Sequence, residues 1–282
     1  MNMLIMAVVA ASTIAGSPNI SEPSYTTLIS HRGESVDAPE NTLSAFKTAV
    51  ERGFGFECDI YLSKDKRLFT FHDWTLERTT SGANTNACVD VDWAEISKLN
   101  VGGWGKWKGS KFDGERPALL EEVLALQRPE RKIYVEVKGD NPDWVPYIKE
   151  VFAKSKASPD KVLFISFGSN VCRELKRQMP EFKTYWLTWS RKKLATDQIV
   201  DHNPKDLIDH MKSLGVDGLD IHFDPKRITP DFVKSIKDAG FEFHVWTVDE
   251  IKKTCKAFGA GAQTVTTNRA LGLLDEFKKG ER

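Results

Sequence analysis

The sequence predicts an α/β fold, a single (β/α)₈ TIM barrel. Eight short runs of β-branched and aromatic residues alternate with longer segments of helical periodicity along nearly the whole chain, which is typical of repeated strand–helix units. The chain has 282 residues, and such barrels commonly have about 250. A doubly wound sheet is the alternative, but it usually has fewer units and a glycine-rich first turn, and no G-x-G-x-x-G motif occurs here.

The predicted strands are short and rich in residues that favour sheets. They are Thr26–Ser30, Phe54–Leu62, Lys132–Lys138, Lys161–Ser166, Thr184–Trp189, Val216–His222, Glu242–Val248 and Gln263–Thr267. The segments between them have apolar residues at helical spacing, such as Phe232 and Ile236, and glycines such as Gly53 and Gly215 stand where helices are expected to end. The predicted helices are Thr42–Arg52, Leu119–Arg128, Pro142–Lys156, Asn170–Gln178, Pro204–Leu214, Pro230–Ala239, Glu250–Phe258 and Ala270–Lys279.

The connection after the second strand is much longer than the few residues usual in such folds. It contains Arg67–Phe71, which is predicted as a further strand, and then an insertion at about residues 74–116 with Trp93, Trp104 and Trp107 among several glycines. Loops that follow barrel strands open on the catalytic face. We therefore expect a small packed lobe beside the mouth of the barrel; the alternative is a surface loop without a role.

The N-terminal residues have the composition of a secretory signal. Leu4 to Ala15 is apolar or small throughout and is followed by a polar, proline-containing stretch. However, the first basic residue is Arg32, so the positive charge that usually precedes a signal is absent. The sequence favours export with residues 1–24 as the signal and 25–282 as one barrel domain; the alternative is a cytoplasmic protein with a disordered arm.

Composition excludes several classes of protein. The 40 Lys and Arg balance the 40 Asp and Glu, whereas a nucleic-acid binder needs a basic surplus. An apolar content of 40% with 28% charged residues is that of a globular protein rather than a disordered one. No apolar run reaches the ~20 residues that span a bilayer. The four cysteines lack C-x-x-C spacing, so buried thiols are expected rather than a zinc site. Oligomeric state is not set by these features.

Charged residues cluster at the predicted strand ends, where barrels place their catalytic groups. Glu57 and Asp59 share one face of the second strand, and Glu136 and Lys138 share one face of the third. Three inward carboxylates are the oxygen ligands expected for one divalent cation, Mg²⁺ or Ca²⁺. An ion-pair network with Arg32 and Lys138 is an equal alternative. The two overlap, because a phosphate would fit between that cation and the basic side chains.

Two histidines, His31 and His72, follow neighbouring strands and suit acid–base chemistry near neutral pH. Each taken alone would more often be structural, but their placement beside the carboxylates favours a catalytic pair. Asp220 and His222 on the sixth strand and Trp246 on the seventh are further candidates for the pocket wall.

These residues belong to a longer series of motifs. In order they are His31-Arg32-Gly33, Pro39-Glu40-Asn41-Thr42, Glu57-x-Asp59, His72-Asp73, Arg78-Thr79-Thr80, Glu136-x-Lys138, Ser166-Phe167, Val245-Trp246-Thr247-Val248 and Thr267-Asn268-Arg269. The series resembles the glycerophosphodiester phosphodiesterase family over about residues 27 to 275. Lys66 stands where the family usually has a turn glycine, and Asn268 and Ala270 replace a common Asp and Pro. We expect these departures to affect only a hairpin and the last loop.

The resemblance implies a TIM barrel with an insertion after strand 2 and cleavage of a glycerophosphodiester to sn-glycerol 3-phosphate and an alcohol. By resemblance, the site residues are Glu57, Asp59 and Glu136 for the cation, His31 and His72 for acid–base catalysis, and Arg32, Lys138, Glu40 and Trp246 for phosphate and substrate. Asn41 is also expected to cap the first helix. The nucleophile is either water or the substrate's own 2-hydroxyl, the second giving a cyclic phosphate.

Two other functions fit the same residues. A sister phosphodiesterase acting on lysophospholipid or sphingolipid would keep the metal site and have a more apolar entrance. The residues that would contact a lipid chain there are Trp104, Trp107, Trp186 and Trp189, although ordinary packing is expected of them. A noncatalytic phosphodiester-binding barrel would have lost ligands or histidines, which this chain keeps. An aldolase or amidohydrolase on this fold would have a ligand pattern richer in histidine.

Overall fold

The computed structural model describes residues 22–193 and 199–281; the candidate signal at residues 1–21 lies outside them. In chain order the strands are β1 (Leu28–Ser30), β2 (Gly55–Leu62), β3 (Leu68–Thr70), β4 (Ile133–Val137), β5 (Val162–Ser166), β6 (Thr184–Thr188), β7 (Arg191–Lys193), β8 (Ile199–Asp201), β9 (Gly218–His222), β10 (Glu242–Trp246) and β11 (Thr264–Thr267). Eight of these, all except β3, β7 and β8, form a parallel sheet in which β1 pairs with both β2 and β11. This double pairing closes the sheet, so the predicted (β/α)₈ barrel is confirmed.

Helices surround the barrel and bury one face each against it. Those of the described residues are α1 (Leu43–Glu51), α2 (Trp93–Ile96), α3 (Leu120–Leu124), α4 (Val145–Lys154), α5 (Ser169–Gln178), α6 (Pro204–Leu214), α7 (Pro230–Asp238), α8 (Ile251–Ala260) and α9 (Ala270–Lys278). All eight predicted helices are present. The second, α3, is only five residues long and ends at Leu124, four residues before the predicted end.

Successive side chains of a strand point to opposite faces of the sheet, so the apolar layer under the helices is separate from the interior of the barrel. On β2, Phe56 and Cys58 point outward to the helices, where the ring of Phe46 on α1 stacks on Phe56 at 4.8 Å. Glu57 and Asp59, on the opposite face, point into the barrel and are buried. The polar groups of the barrel interior are therefore separated from the apolar layer by the sheet itself.

The lower part of the barrel is filled by large side chains. Tyr134, Tyr185 and His244 are all buried there, and the His244 ring stacks on Tyr185 with centroids 4.4 Å apart. Tyr134 lies two residues before Glu136 on the same face of β4, so this layer lies toward the amino ends of the strands. It closes the barrel below the polar groups and leaves space only at the carboxyl ends.

The long segment after β2 folds against the barrel. β3 pairs antiparallel with β2, as predicted for Arg67–Phe71. Trp93 in α2 packs on Phe69 with ring centroids 6.0 Å apart, and the buried Trp107 packs edge-on against Phe112. Two of the three tryptophans thus hold the segment together, as a packed lobe requires.

A short antiparallel ribbon, β7 paired with β8, was not expected from the sequence. Its first strand reads Arg-Lys-Lys, a composition that does not favour strands, and Arg191 is paired with Asp201 across the ribbon at 3.4 Å.

In the described part of the chain, no helix has the length and apolar character needed to cross a membrane.

Replacing Gly55 by alanine should destabilise the barrel where β2 meets β4. A Cβ at this position would lie 2.5 Å from the carbonyl oxygen of Lys132, so the strands must move apart. Overpacking of this kind costs about 1–3 kcal/mol. We expect a melting temperature lower by several degrees. Gly259→Ala is the matched control, because that glycine is in α8 with open space around it; unchanged or raised stability is expected there, and equal melting of the two variants would contradict the prediction.

Candidate active site

A cavity of about 290 Å³ opens at the carboxyl ends of the parallel strands. Its walls include seven of the nine predicted site residues, which are His31, Arg32, Glu57, His72, Glu136, Lys138 and Trp246. The other two lie directly behind the wall, where Asp59 and Glu40 contact Arg32. A larger open groove, about 930 Å³, lies on the outside near α3 and α4 and contains none of them. The structure thus brings all nine residues together at one end of the barrel.

Three carboxylates form the centre of this site. Glu57, Asp59 and Glu136 are buried, and one oxygen from each lies within 4.8 Å of the others. Burial and the neighbouring Asp59 raise the pKa of Glu57 well above its usual value, and burial raises the pKa of Glu136 to about 7 against the opposing charge of Lys138. Both carboxyl groups therefore lack sufficient positive charge around them.

Lys138 and Arg32 neutralise part of this charge. The Lys138 ammonium bridges Asp59 and Glu136, at 2.7 Å from an oxygen of each, and Arg32 Nε lies 3.4 Å from Asp59 Oδ2. Burial alone would raise the pKa of Asp59, but these two cations hold it well below its usual range. Among the ion-pair contacts of the described residues, Glu57 has only the neutral His31 ring, with Nε2 3.9 Å from Glu57 Oε2. Its Oε2 accepts a hydrogen bond from the Arg32 backbone N–H, and its Oε1 is buried with no hydrogen-bond partner.

Asn41 has a different role from the predicted one. The prediction that it caps α1 is wrong, because Thr42 is the cap and its hydroxyl accepts the Ala45 N–H. Asn41 has φ +57° and turns its side chain toward β2. There its amide donates to Asp59 Oδ2 at 2.7 Å and accepts the Asp59 backbone N–H at 3.0 Å. This pair of hydrogen bonds fixes the orientation of the Asp59 carboxylate.

His31 is oriented by a residue from the other end of the chain. Its Nδ1 lies 2.7 Å from Asn268 Oδ1, while the Asn268 amide nitrogen donates to Asp249 at 2.7 Å. Because an amide oxygen only accepts, Nδ1 carries the proton and Nε2 has the free lone pair. Burial, together with the adjacent Arg32, lowers the pKa of His31 to about 4, so the ring is neutral at pH 7. The expectation that Asn268 affects only the last loop is therefore wrong.

His72 is held from the opposite side by the inserted segment. Its Nδ1 lies 2.7 Å from Asp73 Oδ1, and Arg78 Nε donates to the other oxygen of Asp73 at 2.6 Å. The same guanidinium binds Glu40, which in turn accepts from Arg32 at 2.8 Å. A continuous chain of charged groups therefore connects the inserted segment to the phosphate-binding candidates. Trp104 lies over Arg78, 5.0 Å from its guanidinium carbon, instead of packing in a core.

The far wall of the cavity is aromatic and contains one carboxyl group. Trp246, Phe167 and Trp189 line it, and Trp189 is 55% exposed, so the expectation that this tryptophan serves ordinary packing is wrong. Asp220 also lines the wall, as the sequence indicated for a candidate on the sixth barrel strand. It is 1% exposed and neither of its carboxyl oxygens has a hydrogen-bond partner. Burial, with a smaller contribution from Glu136, raises the pKa of Asp220 to about 8.

Comparison with known proteins identifies relatives over nearly the whole chain. The model of the glycerophosphoryl diester phosphodiesterase family matches residues 31–271. A glycerophosphodiester phosphodiesterase of Caldanaerobacter subterraneus is 30% identical, with 90% of this chain and 99% of the relative covered. A Bacillus subtilis enzyme of the same name is 26% identical over 98% of this chain and 94% of its own length.

Solved structures of phosphodiesterases have a similar fold. An Oleispira antarctica phosphodiesterase in complex with the product sn-glycerol-3-phosphate superposes with a TM-score of 0.75 at 25% identity, covering 89% of this chain and 96% of that one. A second structure, from Silicibacter pomeroyi, has a TM-score of 0.76 at 21% identity over 91% and 95% of the two chains, and it supports the fold. Since the family model spans most of the sequence, the chain belongs to the glycerophosphoryl diester phosphodiesterase family.

Proposed function

We propose that the protein hydrolyses glycerophosphodiesters to sn-glycerol 3-phosphate and an alcohol, with one divalent cation, Mg²⁺ or Ca²⁺, and with His31 and His72 as the acid–base pair. One observation carries the proposal. A buried triad of carboxylates, incompletely neutralised, lies in one cavity with two histidines whose Nδ1 atoms are both engaged by hydrogen bonds. Membership of the family and the product found in the Oleispira antarctica relative support the choice of substrate.

The triad fits a divalent cation. Glu57, Asp59 and Glu136 offer oxygen atoms at mutual distances that one ion can bridge. A carboxylate oxygen that is buried without a hydrogen-bond partner, such as Glu57 Oε1, destabilises the folded state unless a bound ligand interacts with it. Hard oxygen donors without sulfur or nitrogen are the set that Mg²⁺ and Ca²⁺ prefer. When bound, such an ion supplies Lewis-acid stabilisation of the charge that develops on the phosphate.

Arg32 and Lys138 would bind the phosphate. Both are cationic side chains on the cavity wall beside the triad. Arg32 is held from behind by Glu40, and Glu40 is held by Arg78, so the guanidinium is fixed before substrate arrives. A prearranged positive charge stabilises developing negative charge without reorganising during the reaction. Glu40 in this scheme acts through Arg32 rather than on the substrate.

The two histidines have distinguishable roles. His31 is neutral and has its lone pair on Nε2, so we assign it the base that takes a proton from the nucleophile, either water or the substrate's 2-hydroxyl. His72 has its Nδ1 directed to Asp73, so Nε2 is the atom that gives a proton to the leaving alkoxide. Each transfer contributes roughly 10²–10⁴-fold to the rate. Trp246 forms the wall that faces the substrate's organic part.

Purified protein is expected to release sn-glycerol 3-phosphate from glycerophosphocholine and glycerophosphoethanolamine when Mg²⁺ or Ca²⁺ is present. Prolonged treatment with EDTA should abolish the release, and adding the metal back should restore it, because the carboxylate triad then regains its ligand. A coupled assay for glycerol 3-phosphate measures both steps. Folded protein that releases none with either metal would contradict the proposed function.

Replacing His72 by alanine should lower kcat by about 10²–10⁴-fold, since the leaving group then departs without a proton donor. The melting temperature should stay close to that of the parent, because this side chain is about one-third exposed and packs in no core. His202→Ala is the control, a histidine outside the cavity wall, and should retain activity. Turnover near the parental value in His72→Ala would remove this residue from the mechanism.

The substitution Glu57→Gln should weaken metal binding by about 100-fold or more, since even indirect supports of metal sites cost 10–100-fold when lost. Calorimetric titration of metal-free protein with Mg²⁺ or Ca²⁺ measures this without turnover. Glu121→Gln, on the outer surface beside Arg67, provides the control with the same chemical change. Identical titration curves for the parent and Glu57→Gln would show that Glu57 is not a ligand.

A further inference from the structure

The cavity has two chemically different halves. Side chains on or directly after β1, β2 and β4 give the ionic half, with the carboxylate triad, Arg32 and Lys138. On the other side, Phe167 directly follows β5, Trp189 directly follows β6, and Trp246 ends β10. We call these three rings the aromatic corner. A phosphodiester has two organic arms, so with phosphate in the ionic half one arm must lie against the aromatic corner.

The rings of the aromatic corner meet at steep angles. The Phe167 and Trp246 centroids are 5.5 Å apart with planes at 85°, and those of Trp189 and Trp246 are 4.9 Å apart at 70°. When one ring stands edge-on against another, the space between them is lined on one side by the π face of the first ring and on the other side by the π face of the second. Faces of aromatic rings carry the negative part of the quadrupole. Such angles are therefore places of negative potential as well as apolar surface.

Two hydrogen bonds hold parts of the aromatic corner, the Trp246 ring and the backbone at Phe167. The Trp246 indole N–H donates to the backbone carbonyl of Asp220 at 3.2 Å. The Trp186 indole N–H donates to the backbone carbonyl of Phe167 at 3.3 Å. Phe167 is nevertheless 41% exposed, and Trp189 is also uncovered. Large apolar side chains that are exposed and partly held in place are typical of binding sites, because less entropy is lost when a ligand covers them.

The polar groups in this half can accommodate a cation. Among the described residues that line the cavity on the side of β5 to β11, none is basic, and Asp220 is the only ionisable one. Its carboxyl group has no hydrogen-bond partner, so an adjacent positive charge would stabilise this buried group where no other group does so by hydrogen bonding. His222, in contact with both Trp189 and Trp246, has its pKa lowered by burial and adds no charge at pH 7.

We propose that the aromatic corner, with Asp220 behind it, is a subsite for a quaternary ammonium group, so that the enzyme prefers glycerophosphodiesters whose alcohol is choline-like. The inference rests on the proposed function and specifies its substrate. A trimethylammonium group has no N–H to satisfy and is bound through aromatic faces, which the aromatic corner presents. A cation bound there would also favour the ionised form of Asp220. A lipid acyl chain would need more room than a cavity of about 290 Å³ that must also admit the glycerophosphate.

The decisive comparison is between the choline ester and its neutral carbon isostere, the 3,3-dimethylbutyl ester of glycerophosphate. The two have the same shape and differ by one positive charge, so kcat/KM for the choline ester should be about tenfold higher, a factor between those of an exposed and a fully desolvated cation–π contact. Trp189→Leu keeps an apolar side chain and removes a π face, and it should reduce that ratio about threefold or more. Asp220→Asn should reduce it as well. Trp74→Leu is the matched control, since this exposed tryptophan does not line the cavity, and its ratio should equal that of the parent.

Equal hydrolysis of the two esters, or a Trp189→Leu variant that slows both equally, would overturn the inference while leaving the proposed function intact. Faster hydrolysis of lysophosphatidylcholine than of glycerophosphocholine would overturn it in favour of an acyl-chain site. Absence of release from every ester would refute the proposed function instead. Calorimetric titration of the protein with choline and with 3,3-dimethylbutanol then tests the subsite without turnover. Choline must bind more tightly than the neutral alcohol, and this difference in affinity must be smaller in Trp189→Leu.

Discussion

Three carboxylates buried within 4.8 Å of one another are the constraint around which the upper barrel is organised. Like charges in a low-dielectric interior repel strongly, so each carboxylate needs a partner that is equally well fixed. Lys138 directly follows the strand that supplies Glu136, and Arg32 comes from the turn after β1. The backbone turns at Arg32 and Asn41, both with positive φ, bring the guanidinium and the amide of these two residues to Asp59. Local strain in the loops is thus balanced by strong interactions in the site.

Support for the site extends well beyond the groups that face the cavity. His31 depends on Asn268 and, through it, on Asp249; His72 depends on Asp73 and, through it, on Arg78. The inserted segment therefore contributes a structural part of the candidate active site. Arg78 joins it to Glu40 and to Asp73 at the same time, so movement of the segment would disturb the phosphate side and the histidine side together.

Much of this architecture is predictable from the sequence because it depends on periodicity. Alternation with period two places Glu57 and Asp59 on the inner face, and barrel topology then brings them beside Glu136 without any knowledge of distances. What escapes prediction depends on backbone conformation. Asn41 resembles a helix cap in sequence, and only its positive φ turns it toward Asp59. Asn268 is far from His31 along the chain, and the exposure of Trp189 depends on where β6 ends, which composition does not fix to the residue.

The hydrogen bond between His31 and Asn268 joins residues 237 positions apart. It forms only after β1 has paired with β11 and the circle of strands is complete. Contacts of such sequence separation are among the last to be gained on folding, since the entropy of the whole intervening loop must be lost first. A growing polypeptide on the ribosome, or a molecule whose final strand has detached, consequently has an unoriented His31. The orientation of the His31 ring is in this way a property of the closed ring of strands and of no smaller fragment.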